Sequence, residues 1–414
     1  MENEIYAPVC IIAYNRADKI KKVIESLAKN HLADKTRVYV FSDAPRDSKA
    51  AKGVAEVREY LRSLVAKGNS KDLDSIESIT NENTESRFYE NIESNNLDSK
   101  KLENIESKNL DSINTQDSNK TQNLDSIESK NIDFKISQNL DSKNANETIE
   151  SNNNPPTILP FKSIEIIQAE HNLGIKDSIV KYANFIFKNK GYDRFIGLED
   201  DIETHENFLQ FMNDALQFYK DNPRIMAITA FSHQSANLKS RTIKNYKQDV
   251  LFTYAFHSWG WGTWRDRWEN IDWSHAQSYA WFMLNPYHLV RGNILSWFHL
   301  FALPRSQKKG KISNLWDIYL SYIAYKQDKL VVWPARRSYT RNFGFDGSGV
   351  HTFNFDANIV NFSFDNPPAH LHFTNKMNLG LWFNFKLSML YGVDVWVFGF
   401  FKMFVKKVFK FMKK

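Results

Sequence analysis

The stretch RFIGLEDDIETHENF, residues 194–208, sets three carboxylates, Glu199, Asp200 and Asp201, directly after an apolar run. Adjacent anions repel one another, so the triplet stabilises nothing unless a cation lies beside it. Acids on a loop at the C-terminal tip of a strand suit a hard divalent cation such as Mg2+ or Mn2+. Such ions keep several waters and bridge one or two carboxylates to substrate phosphates. The other reading is a solvated helix start, because Glu203 and Glu206 follow and a helix N-terminus favours anions. Other polar residues that follow apolar runs are Asn15 with Arg16, Asp43, and His171 with Asn172. Asp43 also stands two residues before Pro45, where an Asp forms turns.

These residues need elements to position them. YAPVCIIAYNR reads as a short buried strand, and ADKIKKVIESLAKN carries Ile20, Val23, Ile24 and Leu27 at helical spacing. TRVYVFSDAPR is a second strand, followed by a helix over about 49–65; SIEIIQAEHNLG is a third strand, and IKDSIVKYANFIFKNKG a helix closed by Gly191. DRFIGLEDD is the fourth strand, FLQFMNDALQFYKDNP a helix, and RIMAITAFS strand-like. Apolar strands alternating with helices predict a mostly parallel α/β sheet flanked by helices. Ligands bind such sheets at the carboxyl ends of the strands, where all the polar tips fall. Beyond residue 250 the pattern is irregular and aromatic, with five tryptophans in HSWGWGTWRDRWENIDW, and reads as acceptor-side elaboration of the same sheet.

Residues 70–155 differ from everything around them. The phrase NLDS recurs at Asn96, Asn109, Asn123 and Asn139 with unequal spacing and no repeating apolar face, which excludes a solenoid. Such a segment buries too little apolar surface to offset its chain entropy, so disorder is expected. It holds 9 Lys/Arg against 18 Asp/Glu in a chain of net charge +6, which leaves the remainder basic and suited to an anionic substrate or membrane surface. No recognition module or basic helix inside the core points to nucleic acid. The single cysteine, Cys10, excludes an internal disulfide and fits a reducing compartment. MENEIYAPV lacks the charge pattern of a signal peptide. The expected organisation is a catalytic domain over 1–69 and 156–375, the insert over 70–155, and a tail over 376–414.

CIIAYNRADKIKKVIESL, VYVFSDAPR, HNLGIKDSI and FIGLEDDIE occur in the order and spacing of GT-A glycosyltransferases. The chain resembles a bacterial sugar transferase related to family 2. Its Glu-Asp-Asp version of the DXD motif is similar to that of N-acetylglucosaminyltransferase I. The resemblance implies a GT-A fold, that is, a Rossmann-like mixed sheet. It implies that Ala13, Tyr14, Asn15 and Arg16 line the nucleotide pocket, with Asn172 nearby, and that Asp43 hydrogen-bonds the base of a UDP-sugar. Asp201 would bind the metal, with Glu199 and Asp200 supporting it and contacting the ribose. SWGWGTW resembles a segment that closes over donor and acceptor sugars, which assigns Trp259, Gly260 and Trp261 to sugar contacts. Any one of these indoles also suits core packing. Arg341 and Asn342 flank a Gly-rich loop that could fold over the diphosphate, and His351 is a candidate further metal ligand or a plain loop histidine. An inverting transferase also needs a general base. Asp317 in NLWDIYL is the residue chosen, with Asp266 and Asp346 as rivals and a helix-start acid as the alternative.

The tail FFKMFVKKVFKFMKK places Lys402, Lys406, Lys410 and Lys413 on one helical face and Phe and Val on the other, the pattern of a helix in the interface of an anionic membrane. The expectation is a metal-dependent inverting glycosyltransferase on the cytoplasmic face of a bacterial inner membrane. It would extend a surface glycan or lipid-linked acceptor, as in lipopolysaccharide or oligosaccharide synthesis. Two rivals remain, a nucleotidyltransferase of sugar activation and an inactive membrane-bound glycan-binding scaffold.

Overall fold

A computed structural model of the chain describes residues 6–66, 134–135, 159–232, 245–273, 282, 284–297, 300, 315–344, 367–377 and 379–391. The run VCIIA forms β1 (Val9–Ala13), buried on both faces, as a strand inside a helix-covered sheet must be. Its neighbour β2 (Arg37–Ser42) is likewise apolar. Between them α1 (Ala17–Ala28) buries the stripe Ile20, Val23, Ile24 and Leu27. Each such side chain contributes roughly 1.5–3 kcal/mol by leaving water. Helix α2 (Ser48–Ala66) follows β2. The chain then supplies β4 (Ser163–Ala169), α3 (Gly174–Asn184), β5 (Arg194–Glu199) and the short β6 (Ile202–Thr204). Helix α4 (Phe208–Tyr219) and β7 (Ile225–Thr229) complete the portion that alternates regularly.

The aromatic portion beyond residue 250 is more regular than its composition suggests. It gives three strands to the main sheet: β8 (Val250–Thr253), β9 (Trp261–Trp264) and β10 (Leu330–Pro334). It also gives β11 (Thr340–Asn342), which pairs with β6 in a separate two-stranded ribbon. Helices α5 (Arg265–Trp268), α6 (Pro286–Leu295), α7 (Trp316–Lys326) and α8 (Leu381–Tyr391) belong to this part.

With the two-residue β3 (Phe134–Lys135), the main sheet has nine strands in the order β3-β4-β2-β1-β5-β9-β7-β10-β8. Strands β4, β2, β1 and β5 are mutually parallel, and β7 with β10 run the same way. Strands β9 and β8 run against them. The sheet is therefore mixed and mostly parallel, flanked by helices, as the sequence predicts. The edge strand β3 (Phe134–Lys135) pairs antiparallel with β4 and is the one described part of the 70–155 insert. An unpaired β4 edge offers backbone groups for such an addition. The remainder of that insert, and residues 392–414 of the tail, lie outside the described residues. No described helix is long and apolar enough to cross a membrane.

Candidate functional site

Register brings the polar tips to one edge of the sheet. Ala13 lies opposite Ser42, Ser42 opposite Gln168, and Ile12 opposite Glu199. The residues just past these positions, Tyr14 to Arg16, Asp43, Asn172 and the acids after Glu199, share the C-terminal edge. Gly53 of α2 lets that helix press onto the first loop: a Cβ there would stand 2.5 Å from the Asn15 carbonyl oxygen.

Arg16 is the cation of the triplet. Its guanidinium bridges the carboxylates of Asp200 and Asp201, at 3.0 Å from Asp201 Oδ2. Asp200 also accepts the Tyr14 backbone N–H at 3.3 Å. Both aspartates are buried. Arg16 Nη1 is buried as well and has no hydrogen-bond partner among the described residues. From the other side the 342–344 segment closes on Asp201. Asn342 Nδ2 donates to Asp201 Oδ1 at 3.3 Å, and the Phe343 N–H donates to the Asp201 carbonyl at 3.0 Å. Gly344 is required here, since a Cβ would stand 2.2 Å from Asp201 Oδ2. Buried Lys19 reaches the same segment, donating to the Phe343 carbonyl at 3.4 Å.

One guanidinium does not balance the cluster. Burial, and then the charges of Asp201, Asp317 and Asp200, push Glu199 up to about 8, against a hydrogen bond from the Ser258 hydroxyl. Burial and the neighbouring Asp200 push Asp201 up to about 6, against Arg16. Glu199 nevertheless keeps part of its surface accessible, as a residue on a cleft floor does. Asp317 stands in the first turn of α7, where the helix dipole favours an acid. It accepts the Ile318 N–H at 2.9 Å and lies near enough to Glu199 for their charges to interact. Arg16 thus bridges Asp200 and Asp201, while Glu199 and Asp317 face each other electrostatically beside them.

The donor set is of the right type for a hard divalent cation. Arg16 already supplies positive charge between Asp200 and Asp201. No group of three or more ligating side chains is gathered among the described residues. His351 and Asp346 lie outside those residues.

Several expected sites take other positions. Asp43 accepts four hydrogen bonds: from the N–H groups of Ala44 (2.8 Å), Leu173 (3.0 Å) and Gly174 (3.1 Å), and from Asn172 Nδ2 (3.0 Å). Burial raises its carboxyl and these N–H groups oppose the rise. Its acceptor capacity is filled, so Asp43 and Asn172 fasten the β4–α3 loop to β2, and a base contact by Asp43 would have to break one of these bonds. Trp261 is corrected from a sugar platform to a core residue. It is 1% exposed, stacks on Trp268 at 5.8 Å and meets Phe195, Phe256 and Trp316. Those rings enclose the indole and leave neither of its faces to a ligand. Trp259 does keep partial exposure beside Phe231 and His257. Gly260 is buried with φ +80°, and a Cβ would stand 2.7 Å from Thr340 Cγ2. It serves the turn rather than a sugar. Arg341 Nε donates to Glu203 at 2.6 Å, and strand alternation puts the side chain on the face of the ribbon opposite Asn342. Asp266 pairs with Arg267 beside the start of β5, at the far edge from the acids, which removes it as a rival to Asp317.

Ser258, Gly344 and Lys19 belong to the site and were not anticipated. Gly344 had a signal in the Gly-rich run after Asn342, and Ser258 and Lys19 lay within the quoted stretches SWGWGTW and CIIAYNRADKIKKVIESL, but only folding singles them out beside the acids. No protein-family model and no curated protein matches this chain.

Proposed function

We propose that the chain is a GT-A-type, metal-dependent inverting glycosyltransferase that takes a nucleotide-diphosphate sugar, with uridine as the base by the resemblance noted above.

 The single observation that carries this reading is the acid cluster at the tip of β5: Asp200 and Asp201 bridged by Arg16 from the loop between β1 and α1, and Glu199 within electrostatic reach of Asp317 from α7. A cleft that holds more buried carboxylates than cations is primed for a positively charged ligand complex. Asp201, with Asp200 beside it, would hold Mg2+ or Mn2+. That ion, when bound, neutralises charge developing on a diphosphate leaving group.

The chain's own groups have separate tasks. Arg16, with its buried unpartnered Nη1, offers a donor to an anionic oxygen. Asn342, Phe343 and Gly344 hold Asp201 in place and keep water from one side of it. Asp317 is the base that takes the acceptor hydroxyl proton. Glu199, raised to about 8, carries its proton at neutral pH and keeps a second negative charge away from Asp317. Partly exposed Trp259 remains the indole for a sugar face. The acceptor is a surface glycan or lipid-linked oligosaccharide, and the basic tail 402–414 holds the enzyme to the cytoplasmic face of the membrane.

The test is donor hydrolysis and transfer by Asp201→Ala at saturating donor and metal. Activity at the wild-type rate overturns the reading. Thermal-shift measurements with UDP, GDP and CMP, with and without Mn2+, separate the rivals. Stabilisation by one nucleoside diphosphate that needs the metal supports the transferase, and no response to any nucleotide supports the scaffold.

A further inference from the structure

Six large apolar side chains are exposed among the described residues, and five of them sit on one pair of helices. Leu284, Tyr287 and Val290 lie at the start and on the outer face of α6, and Leu381 and Trp382 on the first turn of α8. Leu284 is 82% exposed and Trp382 67%. Single exposed apolar residues on a protein surface mean little, but such a concentration marks an interaction surface. The two helices pack against each other, and Trp297 Nε1 between them donates to Asn384 Oδ1 at 3.3 Å. Their inner faces are already buried: Gly292, Asn293 and Leu295 on α6, and Asn384, Leu387 and Ser388 on α8. The outer faces of surface helices are ordinarily polar; these are not.

Charge decides what covers them. LNPYHLVRGNIL (284–295) and LWFNFKLSMLY (381–391) contain no acid and carry Arg291 and Lys386. The Lys386 ammonium lies 5.3 Å from the Trp382 ring centroid, and Phe385 stacks on the same indole at 5.6 Å. Trp and Tyr beside cations, with no anion among them, match the headgroup region of an anionic bilayer, where aromatic rings sit at the interface and lysines reach outward. The chain leaving α8 continues, 23 residues from its end, into a segment with six lysines and no acid after Asp394.

We propose that the outer face of the α6–α8 pair, centred on Tyr287, Val290 and Trp382, is a docking surface for an anionic lipid bilayer and acts together with the basic tail. The inference rests on the reading of 402–414 as a membrane-associating segment. It adds that the folded body itself touches the lipid, which fixes how the domain is oriented on the membrane.

The test uses the full chain carrying Val290→Cys or Trp382→Cys, labelled with an environment-sensitive fluorophore. Cys10 is fully buried, so labelling of the folded protein is selective. Vesicles of phosphatidylglycerol with phosphatidylethanolamine should shift the emission of both labels to the blue, and phosphatidylcholine vesicles should not. The double variant Val290→Glu, Trp382→Ser should bind the anionic vesicles roughly tenfold more weakly, because affinity scales with buried apolar area. Flotation with vesicles while both labels stay unshifted overturns the inference and leaves the tail reading intact. No flotation of the unsubstituted chain overturns both. A lipid-free dimer that Val290→Glu dissolves assigns the face to a second copy of the chain and also overturns it.

Discussion

Arg16→Gln removes the single guanidinium between Asp200 and Asp201 while keeping a polar side chain. Removing one partner of a buried charge pair costs about 3–5 kcal/mol, because the remaining charge stays buried without compensation. Arg16 retains 18% side-chain exposure, so water offsets part of that loss and about 3 kcal/mol is the expected figure at pH 8. The loss must depend on pH. Asp201 already stands at about 6 with Arg16 present, and without it rises further above its unfolded value. Between the unfolded and folded values the native state binds more protons than the unfolded state, so stability falls as pH rises. At pH 5 the cluster is relieved by protonation, and the difference from the unsubstituted protein should shrink to about 1 kcal/mol. Urea unfolding followed by tryptophan fluorescence at pH 5 and pH 8 measures both differences. Equal losses at the two pH values, or a larger one at pH 5, would refute the electrostatic account and leave Arg16 a packing residue.

Two further outcomes follow from the same neighbourhood. Glu199 is raised to about 8, above its unfolded value, so its unfavourable ionisation grows as pH climbs from about 4.5 to 8. Glu199→Gln, which mimics the protonated form, should flatten that decline and be more stable than the unsubstituted protein by about 3 kcal/mol at pH 9, measured by urea midpoints across pH. Gly197→Ala places a Cβ 2.5 Å from Trp261 Nε1 inside the aromatic core. It should cost about 2–3 kcal/mol, and the smaller ring of Trp261→Phe in the same chain should restore part of it, read as a non-additive pair in urea melts.

The parallel half of the sheet was legible because β1, β2 and β5 are buried on both faces and so are spelled as continuous apolar runs bounded by polar tips. The acids and Arg16 were legible as tips of those runs. Strand β9 was not. WGTW is only four residues long, and its indoles have the composition of a carbohydrate platform, yet Phe195, Phe256, Trp268 and Trp316 close over Trp261, and Arg267 covers Trp264. The choice between Asp317 and Asp266 turned on the direction in which β9 runs, which no local pattern encodes. Arg341 and Asn342 are neighbours in sequence but occupy opposite faces of a strand, so only Asn342 reaches Asp201 while Arg341 pairs with Glu203. Asp43 was recognised as special, but its four protein donors arrive from residues 44 and 172–174.

The position of β9 also sets a timetable for synthesis. When Glu199 leaves the ribosome, β5 can pair with β1 on one side only. Its other edge stays open until Trp261–Trp264 emerges roughly 60 residues later, several seconds at ordinary elongation rates. During that interval an apolar strand with free backbone groups is exposed, the condition under which nascent chains associate wrongly. The acids at its tip must wait longer still, since Asn342, Phe343 and Gly344 come after another stretch of chain. The site is therefore among the last parts of the domain to become rigid, and a truncated chain ending before β9 should emerge with its central strand bare and its carboxylates unrestrained.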